Sequence, residues 1–394
     1  MTISALSQRA KSVKPSATMA ISSRAGAMKR SGIDVVSLAA GEPDFDTPEH
    51  IQDAAIQAIR EGRTRYTPAA GTPELRAAAA KYISRHCAQD FLPSEVVVTC
   101  GAKQAIYNTL RLILDPGDSV LIPAPCWVTY PAQALLCDGT PLIAPPQKNG
   151  AIDIDALAKQ IPDARVLVLC NPSNPSGQVL SQDEQRELGS LARQHGTLII
   201  ADEIYSELVY ESRNFVSFLQ ACPDLREQTI VIHGVSKTYS MTGLRIGFCA
   251  APEALAQKMS AFMSQTTSNP TSTSQWAALA AVEGNQSFIS SWKTAFEDRR
   301  NQLVSGLRSL PGIECRMPEG AFYVFPDIRE LAEKVGLNPD DDITLAERIL
   351  EEAHVAMVPG SHFHAPGHVR MSYATSLDAI HEALRRIQEW INRQ

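Results

Sequence analysis

Chemically distinctive side chains follow the short apolar runs in the middle of the chain. Lys237 comes shortly after the apolar run at residues 229–233, and Asp202 and Tyr205 come directly after the run at 197–201. A lysine amine can attack a carbonyl carbon, and a carboxylate or phenol beside it can hold or move a proton. Because ligands of open parallel sheets bind beyond the carboxyl ends of the strands, these residues are candidates for one shared site.

Each candidate also has an ordinary structural explanation when it is taken alone. An Asp at a strand end is commonly a helix N-cap, and Asn174 before a proline is commonly a turn residue. The run Gly101-Ala102-Lys103 before a helix can simply form a tight turn. The combination is more specific, because a lysine nucleophile, a carboxylate, a tyrosine and a helix N-terminus able to hold a phosphate are together what a pyridoxal phosphate enzyme requires.

The elements that must position these side chains are apolar strands alternating with helices. The predicted strands lie at residues 95–99, 119–122, 165–170, 197–202 and 229–233. Amphipathic stretches at 103–114 and 181–195 lie between them, and the second opens with a capping box of Ser181 and Glu184. Strands that are apolar on both faces and alternate with helices predict a parallel sheet covered on both sides, which is an α/β fold.

The pattern changes after about residue 290 to that of a small α+β unit. Its predicted elements are three helices and one strand, at 292–310, 345–353, 377–394 and 321–325. The first fifty residues are rich in loop signals and resemble an arm, and no Gly/Ser linker separates the parts.

Composition excludes several classes of protein. The 394 residues carry a net charge of −7, which disfavours the phosphate attraction on which nucleic-acid binders rely. No apolar run approaches the ~18 residues that cross a bilayer. Eight cysteines without a C-x-x-C pair favour a reducing, cytoplasmic compartment. Residues 1–33 lack acidic side chains, which is also typical of an organellar transit peptide.

Several segments in chain order resemble the class I, fold-type I pyridoxal-phosphate-dependent aminotransferases. Residues 234–247, Gly-Val-Ser-Lys-Thr-Tyr-Ser-Met-Thr-Gly-Leu-Arg-Ile-Gly, are similar to the cofactor attachment segment of that family. The other matching segments lie at 40–48, 65–76, 174–177, 202–205 and 370–374. The resemblance begins near residues 14–18, which leaves little chain ahead of it for a transit peptide. It implies a homodimer with shared active sites. The order of the matching segments further implies a large domain at 47–290, with the arm at 1–46 joining residues 291–394 in a second lobe.

The resemblance implies a role in binding pyridoxal 5'-phosphate for each matching residue. Lys237 is the covalent attachment point and later moves the substrate proton, while Asp202 pairs with the pyridine nitrogen. Tyr205 and Asn174 hydrogen-bond the ring 3-oxygen, and Trp127 stacks on the ring. The phosphate group is held by Gly101, Ala102, Lys103, Arg245 and the partner's Tyr66.

The resemblance also implies a substrate class of amino acids and 2-oxo acids. Arg370 clamps the α-carboxylate, assisted by Gly41 and Asn174, and Trp127 borders the same space. Lys103 and Thr18 match positions of the aspartate and prephenate aminotransferase branch, in which the lysine meets the distal carboxylate. The sequence therefore predicts ping-pong transamination of aspartate or glutamate with 2-oxoglutarate or oxaloacetate, and prephenate is a further acceptor.

Three alternatives remain at the level of the sequence. An aminotransferase for aromatic amino acids, kynurenine or alanine, or a β-lyase, would use Phe322 and Tyr323 to line an apolar pocket. A non-catalytic pyridoxal-phosphate-sensing regulator would need a DNA-binding module, for which the arm leaves no room. His362, His364 and His368 invite a metal hypothesis, but the absence of a nearby acidic or cysteine ligand favours a loop that shifts and changes access to the site.

Overall fold

The computed structural model of the protein describes residues 6–13, 15, 17–210 and 213–394. Its N-terminal part contains α1 (Gln8–Ser12), α2 (Ala17–Arg30) and β1 (Val36–Ser37). The prediction of a loop-rich arm is wrong for α2, a helix of 14 residues. Helix-forming alanines, with Lys29 and Arg30 in the last turn beside the negative end of the helix dipole, favour this helix.

The described residues in the middle of the chain form a seven-stranded sheet. Its strands are β2 (Val96–Thr99), β3 (Ser119–Pro123), β4 (Thr140–Ala144), β5 (Val166–Cys170), β6 (Leu198–Asp202), β7 (Thr229–Gly234) and β8 (Gly247–Ala250). Their order is β2-β8-β7-β6-β5-β3-β4, and every pairing is parallel except those of β8 with β2 and β7. All five predicted strands are present, so the prediction of an α/β fold with a mostly parallel sheet is confirmed.

Helices pack against this sheet. They are α3 (Glu49–Arg60), α4 (Pro73–Cys87), α5 (Ala102–Ile113), α6 (Thr129–Leu136), α7 (Ile154–Gln160), α8 (Gln182–His195), α9 (Phe218–Ala221), α10 (Glu253–Thr266) and α11 (Ser272–Glu283). In β2, Val96 and Val98 pack into one apolar cluster and Val97 into another, so both faces of the strand are buried. The predicted capping box of Ser181 and Glu184 is present at the start of α8.

The C-terminal part forms smaller sheets. Its elements are α12 (Ser287–Ser309), β9 (Tyr323–Val324), α13 (Arg329–Lys334), α14 (Asp342–Arg348), β10 (Val355–Ala356), β11 (Val358–Pro359), β12 (Val369–Ser372) and α15 (Leu377–Ile391). β12 pairs antiparallel with β11 and β9, while β1 pairs parallel with β10. The N-terminal strand is thereby joined to the C-terminal part. In the described ranges, no helix has the length and apolar character needed to cross a membrane.

Candidate active site

A cleft of about 350 Å³ opens where β5, β6 and β7 end at one edge of the large sheet. The antiparallel strand β8 begins at the same edge. Ten residues predicted to form the site line the cleft: Gly41, Ala102, Lys103, Trp127, Asn174, Asp202, Tyr205, Lys237, Arg245 and Arg370. The sequence therefore predicted half of the described residues that line this single cleft.

The remaining predicted residues lie elsewhere or are only partly described. Gly101 adjoins the cleft, because a Cβ placed on it would lie 2.5 Å from Nη2 of Arg245. Tyr66 is 91% exposed and does not line the cleft of its own subunit. Thr18 belongs to α2, which contributes Met19 and Ser22 to the cleft, but the side chain of Thr18 lies outside the described part of the chain.

Asp202 is a buried carboxylate at the end of β6. Burial raises its pKa to about 6, and the hydrogen bond from Tyr130 opposes that rise. The Tyr130 hydroxyl donates to Oδ2 at 2.6 Å, and the backbone N–H of Ile204 donates to Oδ1 at 3.3 Å. Asp202 is therefore mainly anionic at neutral pH and can pair with a protonated ring nitrogen of a ligand.

Lys237 lies just beyond β7, and its Nζ donates to the backbone oxygen of Gly41 at 2.5 Å. Burial lowers the pKa of this amine to about 8, and the charges of Arg370 and Arg245 act in the same direction, while Glu42 opposes them. An amine with this pKa has a much larger unprotonated fraction at neutral pH than an exposed lysine has. Lys237 is therefore prepared to act as a nucleophile and as a proton carrier.

The N-terminus of α5 forms a cradle for an anion. Gly101 precedes the helix with φ of 77°, and Arg245, itself in a left-handed conformation, lies against it. Lys103 Nζ lies 4.9 Å from the ring centroid of Trp127, and burial together with the charge of Arg245 lowers the pKa of Lys103. Two adjacent cations at the positive end of a helix dipole fit a phosphate group.

Arg370 is a buried cation on β12, with only 2% of its surface exposed. Nη1 donates to Asn174 Oδ1 and Nη2 to the backbone oxygen of Ala39, both at 3.0 Å, while Nε has no hydrogen-bond partner. Within the described residues, no carboxylate forms an ion pair with Arg370. A buried guanidinium without a counter-charge is costly, and a ligand carboxylate in the cleft would supply the missing charge.

Tyr130 is a site residue that the sequence did not identify, whereas Tyr323, named only for the apolar pocket of the aromatic alternative, does line the cleft. Tyr130 packs edge-on to Trp127 with ring centroids 5.4 Å apart, and its position in the Trp127 segment is the only signal the sequence offers. Tyr323 shares a hydrogen bond of 3.0 Å with the hydroxyl of Tyr205. The pocket hypothesised for Phe322 is not formed by that residue, which is fully buried outside the cleft lining. Further unidentified lining residues are Met19, Ser22, Ala39, Glu42, Cys170, Ile204, Ser236 and Thr242.

The loop with three histidines adjoins the site without lining it. His368 is buried, and its ring stacks on Phe325 at 5.1 Å. The backbone oxygen of Phe363 accepts a hydrogen bond from Cys126 beside the Trp127 segment. Over the described ranges, no group of three or more His, Cys, Asp or Glu residues could hold a metal ion.

Comparison with known proteins gives the family of the chain. Residues 33–387 match the model of the aminotransferase class I and II family. An aspartate aminotransferase of Geobacillus stearothermophilus is 44% identical over 98% of both chains, and an aspartate/prephenate aminotransferase of Nitrosomonas europaea is 43% identical over 97% of this chain and 98% of that one. The crystal structure of the aspartate aminotransferase from Rhizobium meliloti superposes with a TM-score of 0.93, at 39% identity over 98% of this chain and 99% of that one. The chain therefore belongs to the class I and II aminotransferases.

Proposed function

We propose that the protein catalyses pyridoxal-phosphate-dependent transamination between aspartate or glutamate and 2-oxoglutarate or oxaloacetate, with prephenate as a further acceptor. The observation that carries this substrate class is the presence of two cationic side chains, Arg370 and Lys103, that line one cleft on different structural elements. A dicarboxylic amino acid presents two carboxylates to such a cleft. The names of the two relatives support aspartate and prephenate as substrates.

The residues of the cleft fit pyridoxal phosphate. When bound, this cofactor supplies an electron sink that stabilises negative charge at the substrate α-carbon. The α5 N-terminus and Arg245 would hold the phosphate, Asp202 would keep the ring nitrogen protonated, and Trp127 would pack on the ring. The fit rests on the cradle at Gly101, which a Cβ would fill, and on the anionic carboxylate of Asp202 at the end of β6.

The catalytic proton is carried by Lys237. Its unprotonated amine, available because the pKa is about 8, would take the proton from the substrate α-carbon and hold it within the cleft. Arg370 and Asn174 would orient the α-carboxylate. Tyr205 would donate a hydrogen bond to the 3-oxygen of the cofactor ring, and the Tyr323 hydroxyl helps to orient Tyr205. A ping-pong mechanism follows, because the first product must leave before the 2-oxo acid can bind to the same cationic side chains.

The experiment that tests the proposal is a panel of amino donors added to the holoenzyme. Aspartate and glutamate are expected to change the visible absorption of the bound cofactor, and oxaloacetate, 2-oxoglutarate or prephenate to reverse that change. A spectrum that responds to none of the donors would contradict transamination. A response restricted to aromatic donors would favour the aromatic alternative.

Lys103 is expected to distinguish dicarboxylic from aromatic substrates. Lys103→Ala is expected to lower kcat/KM for aspartate roughly 10- to 150-fold, because it removes a charge-assisted hydrogen bond of about 1.5–3 kcal/mol. The value for phenylalanine is expected to change far less. Steady-state kinetics at saturating cofactor measure both, and Lys81→Ala on the exposed face of α4 is the control. Equal losses of kcat/KM with aspartate and phenylalanine would indicate that Lys103 contacts only the cofactor phosphate.

Tyr130 is expected to keep Asp202 ionised at mildly acidic pH. Tyr130→Phe removes a hydrogen bond to the anion, so the pKa of Asp202 is expected to rise from about 6 by at least about one unit. The anion is the form that binds the protonated ring. As the pH falls, the variant should therefore lose cofactor affinity at a higher pH than the native protein does. Titration of pyridoxal phosphate into the cofactor-free protein at a series of pH values between 5 and 8, followed by absorbance, measures the midpoint of this loss. Tyr210→Phe, which removes another buried hydroxyl, should leave the midpoint unchanged.

The proposal includes the organisation of the molecule. The pairing of β1 with β10 supports a second lobe made of residues 1–46 and 291–394 beside a large domain at 47–290. The exposure of Tyr66 is consistent with a homodimer in which this hydroxyl reaches the partner's phosphate site. All eight cysteines are free, as in a reducing, cytoplasmic environment.

A further inference from the structure

The turn at residues 203–207 follows Asp202 at the end of β6, and its side chains project to two opposite sides. Asp202 and Tyr205 project from it into the cleft, whereas Glu203 and Glu207 project away from the cleft and are absent from its lining. The backbone N–H of Glu203 donates to Ile232 on β7 at 2.9 Å. The side chains of this far side form, with His86 and His233, a cluster that we call the brace, in which Glu203 and His233 are buried and Glu207 and His86 are partly exposed. The mechanism proposed above does not use it.

Glu203 is the deeper carboxylate of the brace and is 1% exposed. Its Oε1 accepts hydrogen bonds of 2.8 Å from the Ser217 hydroxyl and from the backbone N–H of Phe218. Its Oε2 lies 3.4 Å from Nε2 of His233 on β7, and neither atom forms a hydrogen bond with a described residue. The carboxylate therefore ties the start of the turn to the beginning of α9, while the backbone N–H of Glu203 ties it to β7, the strand that leads to Lys237.

Glu207 fixes the other end of the turn to α4. His86 Nε2 lies 2.8 Å from Glu207 Oε1, and His86 Nδ1 lies 2.9 Å from the backbone oxygen of Tyr82. Both acceptors are satisfied when the imidazole is protonated at both nitrogens. Burial opposes that charge, but the Glu207 carboxylate raises the pKa of His86 overall, and His86 in turn lowers the pKa of Glu207. The rings of His86 and His233 lie 5.1 Å apart, which joins the two halves of the brace.

We propose that Glu203 and Glu207 are positioning residues, which act through the brace to hold the turn in the conformation that directs Asp202 and Tyr205 into the cleft. The inference rests on the proposed function, because it assigns these residues to the support of the same cofactor site. A buried carboxylate such as that of Glu203 lowers stability unless it has hydrogen-bond partners. Glu203 and the partly exposed Glu207 lie on the far side of one catalytic turn, and each has its partner on a separate element, which accounts for a fixed orientation of that turn.

Replacement by leucine and by glutamine separates positioning from bulk stability. Glu203→Leu and Glu207→Leu are expected to weaken pyridoxal phosphate binding at least about tenfold and to reduce the visible circular dichroism of the bound cofactor, as loss of a supporting hydrogen-bond partner does in other sites. Glu203→Gln and Glu207→Gln keep the acceptors and are expected to remain within about threefold of the native affinity. Asp342→Leu is the matched control.

Asp342 suits this purpose because it is also a fully buried carboxylate that accepts a backbone N–H and a hydroxyl, both from Ser361. Its replacement should lower the melting temperature and leave cofactor affinity and dichroism unchanged. Native affinity and dichroism in the leucine variants would overturn the proposal. If Glu203→Leu fails to fold, Glu207→Leu decides alone, because the Glu207 side chain is 30% exposed.

The cofactor-free protein provides a readout that does not depend on the proposed function. In a crystal structure of Glu207→Leu, the contact between Tyr130 Oη and Asp202 Oδ2, 2.6 Å in the native chain, is expected to be broken. An unchanged contact and turn would overturn the brace. Failure of the native protein to bind pyridoxal phosphate would instead contradict the proposed function, while this structural comparison would still decide the role of the brace.

Discussion

Lys237→Ala is expected to lower kcat for transamination by at least about 10⁴-fold, because one side chain supplies both the nucleophile and the proton carrier. Lys103, the other lysine of the cleft, cannot replace it, since its Nζ lies over the Trp127 ring and beside Arg245. Single-turnover kinetics with aspartate, followed through the cofactor absorption, measure the loss. The phosphate cradle and Asp202 can still hold the cofactor in the cleft. The fold-loss of cofactor affinity should therefore be much smaller than the fold-loss of kcat.

Two comparisons make the Lys237 result specific. Lys237→Arg retains a positive charge but has no amine with a pKa near 8, and it should be as inactive as the alanine variant. Lys81→Ala, on an exposed face of α4, should behave as the native enzyme. Retention of more than about a hundredth of native kcat in Lys237→Ala would show that another group carries the proton.

The strand ends were predictable because their physics is local. Short apolar runs that alternate with helices specify a parallel sheet, and its carboxyl edge then brings Asp202 and Lys237 together whatever lies between them. β4 escaped prediction because Pro141 and partial exposure at the sheet edge weaken its apolar pattern. β8 is a run of four residues, and its antiparallel direction depends on its place between β2 and β7 rather than on its own sequence.

Contacts between distant segments were not predictable from spacing. Arg370 meets Asn174 across 196 positions, and only the resemblance to the family placed them together. In the fold, Ser372 donates to the backbone oxygen of Leu38, which brings β12 beside the N-terminal segment and Arg370 beside Ala39. The same limit applies to Tyr130, because no local pattern shows which buried hydroxyl reaches Asp202.

The different roles of Arg370 and Lys103, two of the four cationic side chains among the described residues that line the cleft, give the second large effect. Arg370→Lys is expected to lower kcat/KM by about 10²- to 10³-fold for aspartate and phenylalanine alike, because every amino acid carries the α-carboxylate and an ammonium group cannot form two parallel hydrogen bonds to it. Lys103→Ala, in contrast, should discriminate between these donors. Arg300→Lys is the matched control, since Arg300 is a buried arginine over the Tyr210 ring that is paired with Glu297. Steady-state kinetics on both donors make the comparison, and a loss confined to aspartate would assign Arg370 to the distal carboxylate and reverse the orientation of the substrate in the cleft.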